Sequence, residues 1–316
     1  MMLGSDVFFI PGLFITWFRT MWFVPVFAVC ALLFPLILWL TLRLGFRKIA
    51  TITTNTARSV VQQPIFAVLA IFGIFVLLLF PFIPYNTLGE DIKILKSQGM
   101  TLIRVLSIIL AVWSAGTSVS DELEEKTALT LLSKPLSRRQ MVLGKFFGII
   151  LGVSLFFVIL STVFVPTCAY KVVYDSRENC ELEPESTACL ESMIDVLPAL
   201  GLSFMEVTMM GAVAVALSTR LSMIPNMTLC VTIYALGHLV PQMVQSSMGQ
   251  FPIVGFVGNF LSAVLPMLKY FSIETAIAGG EAISPQYLLF SGLYCLLFTT
   301  VAIFVALIFF EDRDLS

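Results

Sequence analysis

Charged side chains are scarce in this sequence. Asp, Glu, Lys and Arg make up 12% of the 316 residues, about half the share that usually covers a soluble domain. Apolar residues make up 58%, and the mean hydropathy is +0.97. This excess of apolar residues excludes an ordinary water-soluble protein and leaves lipid as the solvent. The net charge of −2 and the absence of basic runs interleaved with aromatic residues give no support for nucleic-acid binding.

Histidine is nearly absent, and a phosphate-binding loop is missing. His238 is the only histidine, which excludes a multi-histidine metal site and a second catalytic imidazole. Gly144-Lys145 lacks the upstream glycine of a GxxxxGK[ST] loop, so the chain is not expected to hold ATP by itself. The 14 methionines are more simply packing residues than Cu(I) ligands. We therefore expect no catalytic residues, no metal site and no cofactor bound by this chain.

Long uninterrupted apolar runs are what the sequence does contain. In lipid every backbone polar group must be satisfied within the structure, so continuous runs of about 20 apolar residues predict membrane-spanning helices. The sequence therefore predicts an all-α polytopic membrane protein with seven spans. The predicted spans are residues 22–42, 64–83, 101–119, 146–166, 196–217, 222–245 and 287–310.

The charge distribution predicts an orientation. Residues 120–145 carry five basic groups, whereas residues 167–195 carry two basic and seven acidic ones. Because basic residues favour cytoplasmic loops, the first segment is expected in the cytoplasm and the second outside. With seven spans, this places the amino terminus outside and the carboxyl terminus in the cytoplasm, in a multi-pass protein of the cell (inner) membrane. Arg104 is counted among the cations of the outer side.

Two cysteines lie in the predicted outer loop. Cys180 and Cys189 could close a short disulfide loop if that side is oxidising. Cys168 lies close by and makes the count odd, so unpaired thiols are an equal alternative.

Two features of the second half interrupt its apolar character. Glu206 lies near the middle of the fifth span, where a carboxylate is costly and usually faces a cavity or a partner. It could line a conduit or a dimer seam, or it could be a protonated or hydrogen-bonded packing residue. Residues 246–286 are apolar but rich in Gly and Pro, so they are interpreted as re-entrant or interfacial structure on the outer face.

The segment 120–145 has a readable local pattern. Four carboxylates at 121–125 suit the start of a helix, and Pro135 disfavours helix at the residue before it. Ser137 and Gln140 match a capping box that begins the next helix. The pattern predicts a short amphipathic cytoplasmic helix between two spans, although an ordinary solvated loop has much the same composition.

The segment 121–145 resembles a known signature. The resemblance is carried by Asp121-Glu-Leu-Glu-Glu-Lys-Thr-Ala-Leu, then Leu-Leu-Ser-Lys-Pro-Leu-Ser-Arg-Arg, and then Gly144-Lys145. The signature lies between the second and third core spans of ABC-2 type ABC transporter permeases. Within that family the chain is most similar to the multi-copper-maturation or nitrous-oxide-reductase-accessory branch. Residues 54–58, 265–271 and 310–314 also resemble family segments, so the resemblance covers about 45–314. Lys126 stands where many members have Gly.

The resemblance implies a division of the chain and a role for its cytoplasmic helix. Residues 1–44 would add one amino-terminal transmembrane helix to a six-helix permease domain at 45–316. Helix 121–140 would couple to a separate ABC ATP-binding subunit, which would bind ATP and Mg. The implied coupling residues are Glu122, Glu125, Thr127, Leu131, Leu132, Pro135, Arg138 and Arg139.

By the same resemblance, the chain would work as a homodimer or paired permease in an exporter. An alternative with the same fold is a membrane scaffold or assembly factor that transports nothing. An intramembrane enzyme has little support, because one histidine and one buried carboxylate make neither a His-rich metal site nor a carboxylate dyad.

Overall fold

Helices account for the regular structure of the part of the chain that the computed structural model describes. That part comprises residues 20–83, 91–120, 138–178, 186–245, 256–258, 260–261, 265–272 and 283–311. The α-helices are α1 (Phe23–Gly45), α2 (Arg47–Gln62), α3 (Pro64–Leu79), α4 (Asp91–Ala115), α5 (Arg138–Glu178), α6 (Ser186–Asp195), α7 (Leu197–Ser218), α8 (Met223–Gln245) and α9 (Pro285–Glu311). A π-helix, Gly116–Ser120, follows α4, and 3₁₀ turns span Phe80–Phe82 and Leu268–Phe271.

Seven stretches of the described chain are long and apolar enough to cross a membrane. They are Phe23–Gly45, Pro64–Phe82, Asp91–Ser118, Arg139–Glu178, Ser186–Ser218, Met223–Gln242 and Pro285–Phe310. Each contains most of one predicted run, so the all-α fold class and the number of spans are confirmed.

Three of the seven stretches, Asp91–Ser118, Arg139–Glu178 and Ser186–Ser218, are longer than the predicted runs by nine residues or more, because helices continue past their apolar parts. α4 begins at Asp91, whose carboxylate suits the first turn of a helix. α5 has 41 residues and is therefore about 61 Å long, roughly twice the thickness of a bilayer's hydrocarbon core. Part of α5 must therefore lie outside that core.

The core of the bundle is formed by α4, α5 and α7. In an apolar stretch of 18 residues from α4, 72% of the residues are buried within the chain, whereas in the corresponding stretch of α1 only 6% are buried. Helices α1, α3, α8 and α9 lie outside this core. α1, α3 and α9 expose many large apolar side chains, as lipid-facing helices do.

A glycine stripe on α5 brings α2 into close contact. An added Cβ at Gly148 would lie 2.5 Å from the Thr56 Cβ and 2.8 Å from the Thr53 carbonyl oxygen, far too close for any side chain. Gly144 and Gly152 meet α2 in the same way, on the turns before and after. The contacts advance together along both helices, so α2 runs beside α5 in the same direction.

Candidate functional site

Most of the predicted coupling residues fall outside the described part of the chain. This applies to Glu122, Glu125, Thr127, Leu131, Leu132 and Pro135. Arg138 is the first residue of α5, and Arg139 is exposed on its first turn. The coupling role of all eight residues stays a prediction.

The two helices that flank residues 121–137 are fastened to each other. Lys145, on the second turn of α5, is buried, and its Nζ donates a hydrogen bond to the Ser118 carbonyl oxygen in the π-helix. A buried ammonium needs such partners, because an unsatisfied charge away from water is costly. This contact joins the start of α5 to the end of α4.

α2 is attached to both of these helix ends. Gln63, which follows α2, donates from Nε2 to the Thr117 hydroxyl over 2.9 Å. On the other side, the Thr53 hydroxyl donates to the Gly144 carbonyl oxygen over 3.2 Å, at the glycine stripe. We call the unit formed by residues 47–63, 116–118 and 144–152 the anchor block. It lies where the chain leaves α4 for the predicted coupling segment and returns to α5.

The sequence did carry a signal for the anchor block. Gly144, Gly148 and Gly152 recur at every fourth residue, and in membrane helices this spacing marks a face on which another backbone approaches closely. The motif at 121–145 includes Gly144 but not Gly148 or Gly152, so the stripe was not predicted.

A second polar group of residues lies inside the helix bundle. Glu206 on α7 is completely buried, and one of its oxygens lies 3.2 Å from Nη1 of Arg104 on α4, which is 4% exposed. The other oxygen lies 2.9 Å from Nε2 of His238 on α8. The carboxylate thus holds three helices together at one point.

Ser272 closes these contacts into a ring. Its hydroxyl oxygen lies 3.4 Å from Arg104 Nη1 and 3.4 Å from His238 Nδ1. We call Arg104, Glu206, His238 and Ser272 the polar ring. Each member contacts two others, and the positive guanidinium faces the negative carboxylate, which is how charges are tolerated inside a membrane protein.

Arg104 was expected among the cations of the outer side, and the side of the membrane to which it is nearer stays a prediction. Arg104 lies within α4, buried in an ion pair with Glu206. The carboxylate is 102 residues away in sequence, and no local pattern reveals such a partner. For Glu206 the structure shows a hydrogen-bonded, ion-paired environment within its own chain. Its role in a conduit or dimer seam stays a prediction.

Residues 265–272, a described part of the predicted re-entrant segment, lie next to the polar ring. Leu268 and Phe271 are buried. The Leu268 side chain packs against Gly237 on α8, where an added Cβ would lie only 2.9 Å from it. The Tyr287 hydroxyl of α9 donates to the Tyr270 carbonyl oxygen over 2.6 Å. Residues 265–272 therefore pack against α8 and α9. That the whole of 246–286 is re-entrant stays a prediction.

Acidic residues gather at the carboxyl end of α5. Carboxylate oxygens of Asp91, Asp175 and Glu178 lie within 4.8 Å of one another. The Lys171 ammonium lies 2.7 Å from Asp175 and 3.5 Å from Asp91, and it supplies the counter-charge that a cation would otherwise provide. Ion pairing with Lys171 thus accounts for Asp91 and Asp175.

The predicted disulfide involves one described cysteine. Cys189 on α6 is buried and forms no disulfide with another cysteine of the described residues. Cys180 lies outside the described residues, so the pairing of the two cysteines stays a prediction.

Comparison with known proteins identifies the family. No curated protein matches the chain significantly. The profile of a family described as ABC-2 family transporter protein matches residues 25–315, which include nearly all of α1 as well as the six other spans. The division of the chain at residue 44 stays a prediction, as does the more specific branch. Members of this family are normally non-catalytic membrane subunits that pair with an ATP-binding subunit. The chain belongs to the ABC-2 transporter family and is a multi-pass membrane permease component.

Proposed function

We propose that this chain is the membrane-spanning subunit of an ATP-driven exporter and that residues 121–140 couple it to a separate ATP-binding subunit. The anchor block is the observation that carries the proposal. A coupling segment can transmit movement to the helix bundle only if the helices at both of its ends are firmly attached. Here the chain on either side of 121–137 is tied together through Lys145 and Ser118 and tied to α2 through Gln63 and Thr117.

The proposed path of force starts at the anchor block. The glycine stripe leaves no space between α2 and α5, so a push on the coupling segment would move the two helices as one body. α4 would carry the same displacement to Arg104 in the polar ring. The displacement would reach Glu206 through its ion pair with Arg104, and Glu206 would lie at the conduit or at the seam between two permease subunits.

The remaining features of the proposal follow the sequence. The amino terminus lies outside and the carboxyl terminus in the cytoplasm of a bacterial inner membrane. The permease works as a homodimer or pair, with ATP and Mg in the partner subunits and none bound by this chain. The motif at 121–145 supports the multi-copper-maturation or nitrous-oxide-reductase-accessory branch.

The proposal is tested by reconstituting the permease with its ATP-binding subunit. The permease should co-purify with that subunit and stimulate ATP hydrolysis in liposomes. Glu125→Lys and Leu131→Asp should abolish both effects, because one reverses a charge and the other places a charge in an apolar contact. Glu178→Lys, a matched charge reversal at the opposite end of α5, should leave both unchanged.

Three outcomes would contradict the proposal. Unchanged binding in both coupling variants would remove the role of 121–140. In a variant whose native cysteines are replaced by Ser, labelling of Lys134→Cys by an impermeant thiol reagent from the extracytoplasmic side would place the segment out of reach of any ATPase. Firm binding without stimulated hydrolysis would indicate the membrane scaffold.

A further inference from the structure

The turn between α1 and α2 combines exposed cations with exposed large apolar side chains. Arg43, Arg47 and Lys48 are all exposed. Between them, Leu44 is 78% exposed and Phe46 is 64% exposed. We call residues 43–48 the basic turn. Such a mixture suits neither bulk water nor the hydrocarbon core, but it fits the boundary between them, where apolar side chains reach the acyl chains and cations meet headgroups.

The charged residues of the stretch that contains the basic turn are of one sign. Residues 20–83 contain Arg43, Arg47, Lys48 and Arg58 and no Asp or Glu. Basic clusters next to a membrane span attract anionic lipids, whose phosphates pair with Lys and Arg. The ammonium group of a zwitterionic lipid would find no carboxylate in this part of the chain. The local charge therefore favours lipids with a net negative charge.

The basic turn is held in a defined position. The Trp39 indole nitrogen donates to the Thr54 hydroxyl over 3.0 Å, which joins the end of α1 to the middle of α2. The Arg43 guanidinium lies 4.9 Å from the centre of the Trp39 ring. Beneath the turn, buried Leu42, Ile49 and Ala50 form a small apolar cluster. The cations are thus presented on a fixed hairpin, which lowers the entropy lost when they bind a headgroup.

Lipid can reach the basic turn from the side. α1 is the least buried of the seven spans in the described chain, since only 6% of the residues in its apolar stretch are buried. Lipid can therefore lie along most of its surface. An acyl chain beside α1 brings its headgroup to the end of that helix, where the cations lie.

We propose that the basic turn binds the headgroup phosphates of anionic phospholipids. Arg43, Arg47 and Lys48 contact the phosphates, and Leu44 and Phe46 insert among the adjoining acyl chains. The basic turn adjoins the anchor block, with which it shares Arg47 and Lys48, but lipid binding here does not depend on the ATPase coupling proposed above.

The test uses the full chain in nanodiscs of phosphatidylcholine with increasing fractions of phosphatidylglycerol. Native mass spectrometry of the released protein counts the phosphatidylglycerol molecules that stay bound. The triple variant Arg43→Gln, Arg47→Gln, Lys48→Gln should weaken this binding roughly tenfold or more, since each membrane-facing cation contributes to the attraction. The pair Leu44→Ser and Phe46→Ser should weaken it less, because the phosphate contacts remain.

A matched control removes the same charge elsewhere. The triple variant Lys93→Gln, Arg177→Gln, Lys269→Gln should keep wild-type binding, because these residues lie away from the basic turn. Equal loss in the two triple variants would show a net-charge effect and overturn the proposal, and unchanged binding in both would do the same. Displacement of the lipid by millimolar inorganic phosphate would also overturn it, by revealing a free-anion site.

Folding of each variant is checked by its thermal melt. If the basic-turn triple variant does not fold, the single variant Arg47→Gln and a salt titration of wild-type binding replace it. Lipid binding that falls with salt and with Arg47→Gln supports the site, and binding indifferent to both overturns it.

Discussion

The anchor block and the polar ring hold helices together by different means. In the anchor block, glycines leave no side chains between α2 and α5, so the two backbones come close and pack tightly beside the hydrogen bonds that fasten the block. In the polar ring, side chains from α4, α7, α8 and residue 272 are joined by an ion pair and hydrogen bonds. α4 connects the two regions, because its carboxyl end contacts the block and Arg104 lies in the ring.

This difference predicts opposite sensitivities. The block has no room, so it should tolerate the loss of atoms better than their addition. The ring balances buried charge, so it should tolerate the removal of a whole pair better than the removal of one partner. Adding one methyl group in the anchor block and removing one charge from the polar ring therefore test the comparison most directly.

The largest effect is expected from Glu206→Gln. The substitution leaves the Arg104 guanidinium buried without its carboxylate, and breaking a buried ion pair in this way costs about 3–5 kcal/mol. The free energy of unfolding, measured by denaturant titration in mixed micelles, should fall by that amount.

The control for this prediction removes both charges. Arg104→Met combined with Glu206→Met should recover most of the lost stability, since paired apolar replacements of a buried ion pair are often nearly neutral. A double variant as unstable as the sum of its two single variants would show that the pair does not act as a unit, and the account of the polar ring would be wrong.

The next effect is expected from Gly148→Ala. The new methyl group would meet the Thr56 Cβ at 2.5 Å and the Thr53 carbonyl oxygen at 2.8 Å, so α2 must shift. Such overpacking costs about 1–3 kcal/mol. The same titration should show the loss, and stimulation of the partner ATPase should fall with it if α2 and α5 move as one body.

Gly201→Ala on α7 provides the matched control. A Cβ at Gly201 would meet no described atom within 4 Å, and Ala is favoured over Gly in a helix by up to about 1 kcal/mol. This variant should be neutral or slightly more stable than wild type. If the two alanine variants behaved alike, close packing would not be what holds the anchor block.

The sequence predicts those parts of the fold that depend on the solvent. Seven continuous apolar runs each had to become a helix, because lipid offers no partner for a bare backbone, and all seven did. Helix ends were less predictable. Hydropathy alone starts the third span at residue 101, whereas α4 begins at Asp91. α5 begins at Arg138, where the capping box of Ser137 and Gln140 had predicted a helix start.

The polar ring could not be predicted, because its members are far apart in sequence. Glu206 stood out as a carboxylate in a span, but Arg104 and Ser272 are separated by 168 residues. Arg104 lies near the start of a predicted span and Ser272 within the segment 246–286. Burial of a charge implies that a partner exists without saying which residue it is. The glycine stripe is different, since its spacing was visible. Only the helix that fills it, α2, needed the structure.

The smallest effect is expected from Ser272→Ala, and it sharpens the account of the ring. Both contacts of this hydroxyl are 3.4 Å long, near the limit for a hydrogen bond, so their loss should cost about 0.5–1 kcal/mol. Ser203→Ala is the matched control, since this buried hydroxyl on α7 has no hydrogen-bond partner among the described residues and its removal should be neutral. If Ser272→Ala cost as much as Glu206→Gln, the serine rather than the ion pair would hold the ring closed.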